Sequence, residues 1–338
     1  MKNIHYLFLG LVAAIGLTAC NNEWEDEQYL QQASFKANVN DQGVTTTYVR
    51  FRPGGVVKYD LPILMSGSTV NKQNRIIHVG LDPDTLAILN KEQYGHREEL
   101  YFRQLSEQYY NMPETAEMRA GESVTVFPIE FTLDETLDQS DKWVLPLQIL
   151  EDPSYGYQAN PRKYYRRAML RLLPFNDYSG TYDASQYKCY LEGDKAKPLT
   201  VTSQRAFVVD DHTIFVYAGT RDIDFLDRKQ YKIFIRFTDE IVDLQTKKLE
   251  IWTDNPNISF NTKDADGKEW VQSYSMSESM DPLKVYLKKI FISLNLHYTF
   301  KDITQIPGQK INYEVEGSLS MERKINTLIP DEDQQIEW

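Results

Sequence analysis

The chain has 338 residues and a formal net charge of −12, with 37 Lys and Arg against 49 Asp and Glu. That balance excludes a nucleic-acid binder, which needs clustered cations to displace phosphate counterions. The two cysteines, Cys20 and Cys189, are too few for a disulfide framework or a thiolate metal site, and the length predicts two domains.

The chain opens with Lys2, an apolar run from Tyr6 to Ile15, and Leu17-Thr18-Ala19-Cys20. This order reads as a secretory signal ending in a lipobox, with Cys20 as the lipidation site. The run is shorter than the roughly 20 residues of a membrane-spanning helix. A multiply acylated cysteine instead anchors stably, each buried methylene contributing about 0.8 kcal/mol. The signal occupies residues 1–19, followed by an acidic tether over 20–33 that includes Glu23, Glu25, Asp26 and Glu27.

Residues 34–174 read as an Ig-like antiparallel β-sandwich with a short helical insertion. Thr47, Val49 and Phe51 share one face of a strand, and Arg75–Leu81 forms another. At Asp82-Pro83 the period changes, and Leu86 and Leu89 mark a helix with Pro in its first turn. Leu100, Leu105 and Tyr109 predict a second short helix ending before Pro113. Strands resume at Ser123–Leu133 and at Trp143–Ile149, where Trp143 reads as core, and the unit closes with Tyr164–Leu173. Asp84-Thr85-Leu86 fits a short O-glycosylation pattern at Thr85, and helix capping explains it equally well.

Pro174–Asp177 divides the chain. Residues 175–338 are nearly all strand, and the alternation is clean in Ile290, Ile292, Leu294, Leu296, Tyr298 and Phe300 and in Ile311, Tyr313 and Val315. One apolar and one polar face repeated through neighbouring strands predicts an antiparallel, calycin-like barrel, with a second sandwich as the alternative. Leu283–Leu287 reads as one of the strands. Cys189 reads as a small buried apolar residue.

Leu81-Asp82-Pro83, Leu86, Asn90, Glu98–Tyr101, Tyr109-Tyr110, Ala120–Glu122 and Val144–Leu147 resemble the N-terminal domain, DUF1735, of Bacteroidota surface lipoproteins from polysaccharide-utilisation loci. The stretch from Phe175–Tyr182 through Tyr217–Gly219 to Glu322-Arg323 and Ile329–Asp333 resembles a companion uncharacterised domain, DUF4973. The resemblance implies an outer-membrane protein facing the cell exterior, capturing polysaccharide or oligosaccharide beside a porin and starch-binding-type lipoproteins. It assigns no ligand residues. The acidic run after Cys20 resembles the export signal of the same surface lipoproteins.

Hydrolase and nucleotide motifs are missing: no G-x-S-x-G, H-E-x-x-H or P-loop occurs. His78, His96, His212 and His297 lie at no metal-ligand spacing, and Asp264–Gly267 reads as a hairpin turn, not a calcium loop. The expectation is therefore no catalytic residue, no metal and no cofactor. The adjacent carboxylates Asp210-Asp211 and Asp239-Glu240 read as turns, and a glycosidase with an unrecognised carboxylate pair is the third-ranked reading.

Aromatic content fits both β-sheet packing and the stacking of sugar rings. The chain holds 22 Tyr, 15 Phe and 5 Trp. Alternation in Lys248–Asp254 puts Leu249 and Ile251 in the core and Trp252 on the polar face near Asp254, where an exposed indole needs a cover. Trp270, Gln272 and Tyr274 read as a similar set. These five residues are the glycan-binding candidates of a non-catalytic uptake accessory, while Trp24 and Trp338 near the termini read as incidental. A docking protein with no glycan site of its own is the alternative.

Overall fold

The structure is a computed structural model that describes residues 27, 31–52, 54–264 and 266–329; Cys20, Trp24 and Trp338 lie outside them. Among the described residues no helix is long and apolar enough to cross a membrane.

The first domain contributes strands β1 (Gln32–Phe35), β2 (Thr45–Arg50), β3 (Val56–Ser66), β4 (Arg75–Leu81), β5 (Phe102–Gln104), β6 (Tyr110–Asn111), β7 (Thr115–Met118), β8 (Val124–Thr132), β9 (Lys142–Ile149), β10 (Gln158–Ala159) and β11 (Arg167–Phe175). They build two facing sheets, ordered β10-β1-β3-β8-β6 and β2-β11-β9-β4-β7, with β5 attached to β9. Pairing is antiparallel except for three parallel contacts, β1 with β10, β2 with β11 and β5 with β9. Phe35, Leu61, Ile77, Phe127, Leu145 and Leu170 fill the space between the sheets.

Helix α1 (Pro83–Tyr94) lies outside the sandwich, where Leu86 and Leu89 pack on Val144 and Met169. Asp82 caps it by accepting from the Thr85 amide at 3.1 Å, and Gly95 ends it at φ +59°. The expected second helix does not form. Residues 98–100 and 107–109 are single 3₁₀ turns flanking β5. The cause is a clasp from outside the segment: the Asn90 side chain bonds both the amide and the carbonyl of Phe102, at 2.7 and 2.8 Å, holding that segment extended. Thr85 is buried in the first turn, where its amide donates to the capping Asp82 carboxylate.

The second domain runs through β12 (Gly180–Leu191), β13 (Asp194–Thr200), β14 (Ser203–Val208), β15 (Thr213–Tyr217), β16 (Lys232–Ile241), β17 (Lys247–Trp252), β18 (Ile258–Ser259), β19 (Ser273–Met280), β20 (Leu287–Asp302) and β21 (Ile311–Asn326). Eight of them follow one another antiparallel as β12-β14-β15-β16-β17-β19-β20-β21, and β21 returns to pair with β12. This is a closed up-and-down barrel, the first of the two expected architectures. Closure removes the free edges that an open sheet would expose. The inward residues of β20 are those of the sequence alternation, Ile290 to Phe300, and all are buried. Leu283–Tyr286 is a turn and not a strand, because the Asp281 carboxylate accepts from the amides of Leu283 and Lys284, each at 2.9 Å.

The barrel is filled by side chains. Tyr187 and Tyr298 share a hydroxyl hydrogen bond of 2.5 Å at its centre, and Tyr298 also accepts from the Gly219 amide at 2.7 Å. Cys189 is buried here, as expected, and burial pushes its thiol up to about 12. At the Asp302 end of the β20–β21 hairpin, Arg221 pairs with Asp302 at 2.7 Å and Asp227 at 3.1 Å while stacking on Tyr231 at 3.7 Å. At the other end, Arg323 donates to the carbonyls of Asn176 and Ser179.

The two domains are fastened by cations of the barrel. The buried Arg228 donates to the carbonyls of Ser140 at 3.0 Å and Glu99 at 2.6 Å. Lys229 pairs with Asp141 at 2.8 Å and Lys232 with Asp138 at 2.7 Å. In the reverse direction, Lys142 of the sandwich reaches Asp224 at 2.5 Å.

Two outcomes follow from these contacts. Gly317 holds φ +130° at the β12–β21 seam, and a Cβ there would collide with the Gln186 carbonyl oxygen. Gly317→Ala is expected to lower the urea unfolding free energy by about 1–3 kcal/mol or more. Gly156→Ala, in open space, should stay within about 0.5 kcal/mol; equal effects of the two would remove the seam argument. The second concerns acid. Burial alone would raise the Asp138 carboxyl, but the hydrogen bond and charge of Lys232, with hydrogen bonds from Ser140, hold it below its ordinary 3.8. A depressed carboxylate stabilises the fold above its unfolded pKa, and that contribution is lost as pH falls through the folded one. Asp138→Asn should therefore flatten the stability curve below about pH 4 without changing its shape above pH 6. An unchanged acid slope in thermal unfolding would contradict it.

Candidate functional site

A row of aromatic rings crosses the outer face of the barrel. In the strand register Phe207 stands opposite Phe215, Phe215 opposite Phe234, and Phe234 opposite Trp252. Strand alternation explains the row, because the neighbouring Ala206, Ile214, Val216, Ile233 and Ile235 all point inward. Phe207 and Phe215 stack at 5.1 Å, Phe215 meets Phe234 edge-on at 6.2 Å, and Phe234 stacks on Trp252 at 5.5 Å. The first two rings are buried with Tyr217, while Phe234 and Trp252 are half-buried and reach solvent. Arg236 sets its guanidinium 5.3 Å from the Trp252 ring.

Beside Phe234 opens a groove of about 300 Å³ whose walls include Thr253, Asp254, Asn255, Lys229 and Lys232. Its far wall is a tight turn held from within. Thr253 donates to the Lys232 carbonyl at 2.7 Å, and Asn255 donates to the Gln230 carbonyl at 2.6 Å while accepting from the Asn257 amide at 2.9 Å. Asp254 projects from this turn into solvent, and no hydrogen bond or ion pair among the described residues engages its carboxylate. An aromatic edge, a free carboxylate and fixed amides within one groove suit a polyhydroxylated ligand, whose C–H face packs on the ring while its hydroxyls donate to the acid.

The sequence candidates therefore separate. Trp252 stacks on Phe234, and Phe234 in turn borders the groove that holds Asp254, but Trp270, Gln272 and Tyr274 do not form an exposed set. Gln272 is buried and clasps the His297 backbone, donating to its carbonyl at 2.6 Å and accepting from its amide at 3.0 Å. Tyr274 is buried in the barrel, edge-on to Phe237, and donates to the Thr238 carbonyl at 2.9 Å. Trp270 covers His297 edge-on at 5.0 Å. The strand begins only at Ser273, and its even positions face inward because Tyr274 sits opposite the core residue Leu294.

Phe234 was not identified from sequence. Its signal lies in the register between Thr213–Tyr217 and Lys232–Ile241, which only the paired strands reveal. A second concavity, of about 670 Å³, opens on the sandwich near Tyr155, Gln73 and Gln158. There Tyr155 lies flat on His78 at 3.9 Å, and Arg75 is held by Gln31 and Asn71.

Two other groups have chemistry-bearing types. His297, Glu314 and Glu316 bring potential ligand atoms within 4.8 Å of one another. The Lys195 ammonium already stands between the two glutamates, at 3.0 Å from each, where a metal cation would sit. Burial would raise the Glu314 carboxyl, but hydrogen bonds from Lys195 and His297 hold it below its ordinary value. The acidic pair Asp239 and Glu240 is engaged by Lys247 and Lys248 across the β16–β17 hairpin.

The family profile DUF4973, a domain of unknown function, matches residues 24–153, and a second profile, described as "-like, C-terminal", matches residues 166–320. DUF4973 thus falls on the sandwich, not on the second half where the sequence resemblance put it; its stretch contains the Leu81–Pro83 and Val144–Leu147 segments. A search of curated proteins finds no match. Among solved structures, a Bacteroides ovatus protein of unknown function is 38% identical with a TM-score of 0.78, over 90% of this chain and 96% of that one. A B. ovatus multidomain protein including DUF1735 is 38% identical with a TM-score of 0.76, over 91% and 100%. An auxiliary nutrient binding protein from Bacteroides thetaiotaomicron is 36% identical with a TM-score of 0.76, over 90% and 100%. The chain therefore belongs to the family of Bacteroides proteins that these structures represent, and DUF4973 describes its first domain.

Proposed function

We propose that this protein is a non-catalytic glycan-binding accessory of a polysaccharide uptake system, anchored to the outer membrane through Cys20 and facing the cell exterior. The observation that carries the reading is the half-exposed Phe234–Trp252 stack beside the free Asp254 carboxylate. It joins a part-exposed aromatic edge to a solvent-facing acceptor. The relative described as an auxiliary nutrient binding protein supports the nutrient class. Polysaccharide or oligosaccharide is the ligand, and a porin with its starch-binding-type lipoproteins is the assembly it serves.

Calorimetric titration of the protein with a panel of neutral oligosaccharides tests the site. At least one is expected to bind, and Trp252→Ala should weaken it by about 1–3 kcal/mol, the range for aromatic stacking platforms under bound rings. Asp254→Asn should weaken it by about 1 kcal/mol, the loss of one charge-assisted hydrogen bond. Failure of every glycan to bind would overturn the reading, and binding indifferent to Trp252 would move the site to the concavity at Tyr155.

The anchor is tested separately. Metabolic labelling with a fatty acid should mark the native protein and not Cys20→Ser, and protease added to whole cells should degrade the labelled form. A soluble native protein with an unmodified Cys20 thiol would remove the localisation.

A further inference from the structure

A cleft of about 260 Å³ lies where the second sheet of the sandwich faces β14 and the loop before Arg228 of the barrel. It is smaller than the roughly 300–1,000 Å³ of sites that take drug-sized ligands, so it suits one sugar residue or a smaller anion. Its walls bring together Arg171 and Tyr48 from the sandwich, Arg205 and Asp224 from the barrel side, and the amide of Gln42.

Arg171 is the unusual group. It sits on β11 between Thr46 of β2 and Val144 of β9, and it is only 7% exposed. Its one hydrogen bond among the described residues runs to Gln42 Oε1 at 3.3 Å, and its buried Nε has no partner. Its guanidinium lies 5.9 Å from the Phe102 ring. Burial, with the neighbouring Arg205 charge second, disfavours its cationic form. Arginine keeps its proton in proteins, so a buried guanidinium calls for a compensating anion. Two carboxylates border the cleft, the exposed Asp41 and Asp224, which is engaged by the buried Lys142 at 2.5 Å. Arg171, Arg205 and Lys142 thus outnumber them by one, in a chain whose overall charge is −12.

We infer that this interdomain cleft binds a carboxylate, that of a uronic acid unit in the captured glycan. The planar fork of Arg171 supplies donors, Arg205 closes the charge from the opposite wall, and Gln42 and Thr46 offer polar groups to the ring hydroxyls. The inference rests on the glycan reading for its source of carboxylate; the cleft chemistry stands on Arg171 itself.

Titration of the full protein with glucuronate and galacturonate, against glucose and galactose, tests it. The uronates should bind at least about ten-fold more tightly than the neutral sugars, and Arg171→Gln should weaken them at least about ten-fold. Because Arg171→Gln disturbs a packed site, Arg205→Gln on the partly exposed wall is measured beside it, with the same expected direction and native circular dichroism as the folding check. Neutral sugars binding as well as uronates, no uronate binding, or uronate affinity unchanged in Arg205→Gln would each overturn the proposal. Equal affinity for sulfate would overturn the carboxylate assignment. Uronate monomers binding while no oligosaccharide does would uphold the cleft and sink the glycan reading; neutral oligosaccharides binding while uronates fail would do the reverse.

Discussion

The return of β21 to β12 is the constraint on which the second domain depends. An open eight-strand sheet would leave two rows of unpaired amides and carbonyls, and pairing along that seam removes both. The seam is tight at Gly317, opposite Tyr187, where β12 shifts register between Asp183 and Gln186. Closure around eight strands leaves an interior just wide enough for side chains. Here Tyr182, Tyr187, Tyr231, Tyr298 and Phe300 occupy it. The barrel thus spends its interior on stability, and chemistry is left to its outer wall and to its junction with the sandwich. Both proposed sites lie in those places.

The junction is built from charge and backbone more than from apolar burial. Arg228 satisfies carbonyls of two sandwich segments at once, Ser140 before β9 and Glu99 before β5. Around it Lys142, Lys229 and Lys232 alternate with Asp224, Asp141 and Asp138, so each domain offers both signs to the other. Val208 of the barrel adds an apolar contact to the sandwich core. Interfaces of this polar kind hold partners in register while keeping water near their edges, where a polar ligand can enter.

Much of this architecture was legible from alternation, and the misses have physical causes. Ile290–Phe300 and Ile311–Val315 revealed inward and outward faces because long antiparallel strands with one buried side keep a strict period of two. The segment 96–111 misled because its apolar spacing looks helical, whereas the Asn90 side chain, distant in sequence, decides its backbone. Trp270, Gln272 and Tyr274 kept the expected period, but period alone does not say which face is inside. The aromatic row is a property of register across four strands, so Trp252 was visible singly and Phe234 was not. Arg171 was hidden within β11, which is buried on both sides and shows no period at all.

Lys229 and Lys232 have a double position with a thermodynamic consequence. Each borders the groove next to Phe234, and each also holds an aspartate of the sandwich. A molecule settling in the groove alters the hydration and field around the same two ammonium groups that tie the halves together. Reciprocity then requires that occupancy and interdomain cohesion influence one another by equal free energies. Under the proposed function, the grip on a ligand and the mutual grip of the two lobes would be read from one pair of charges.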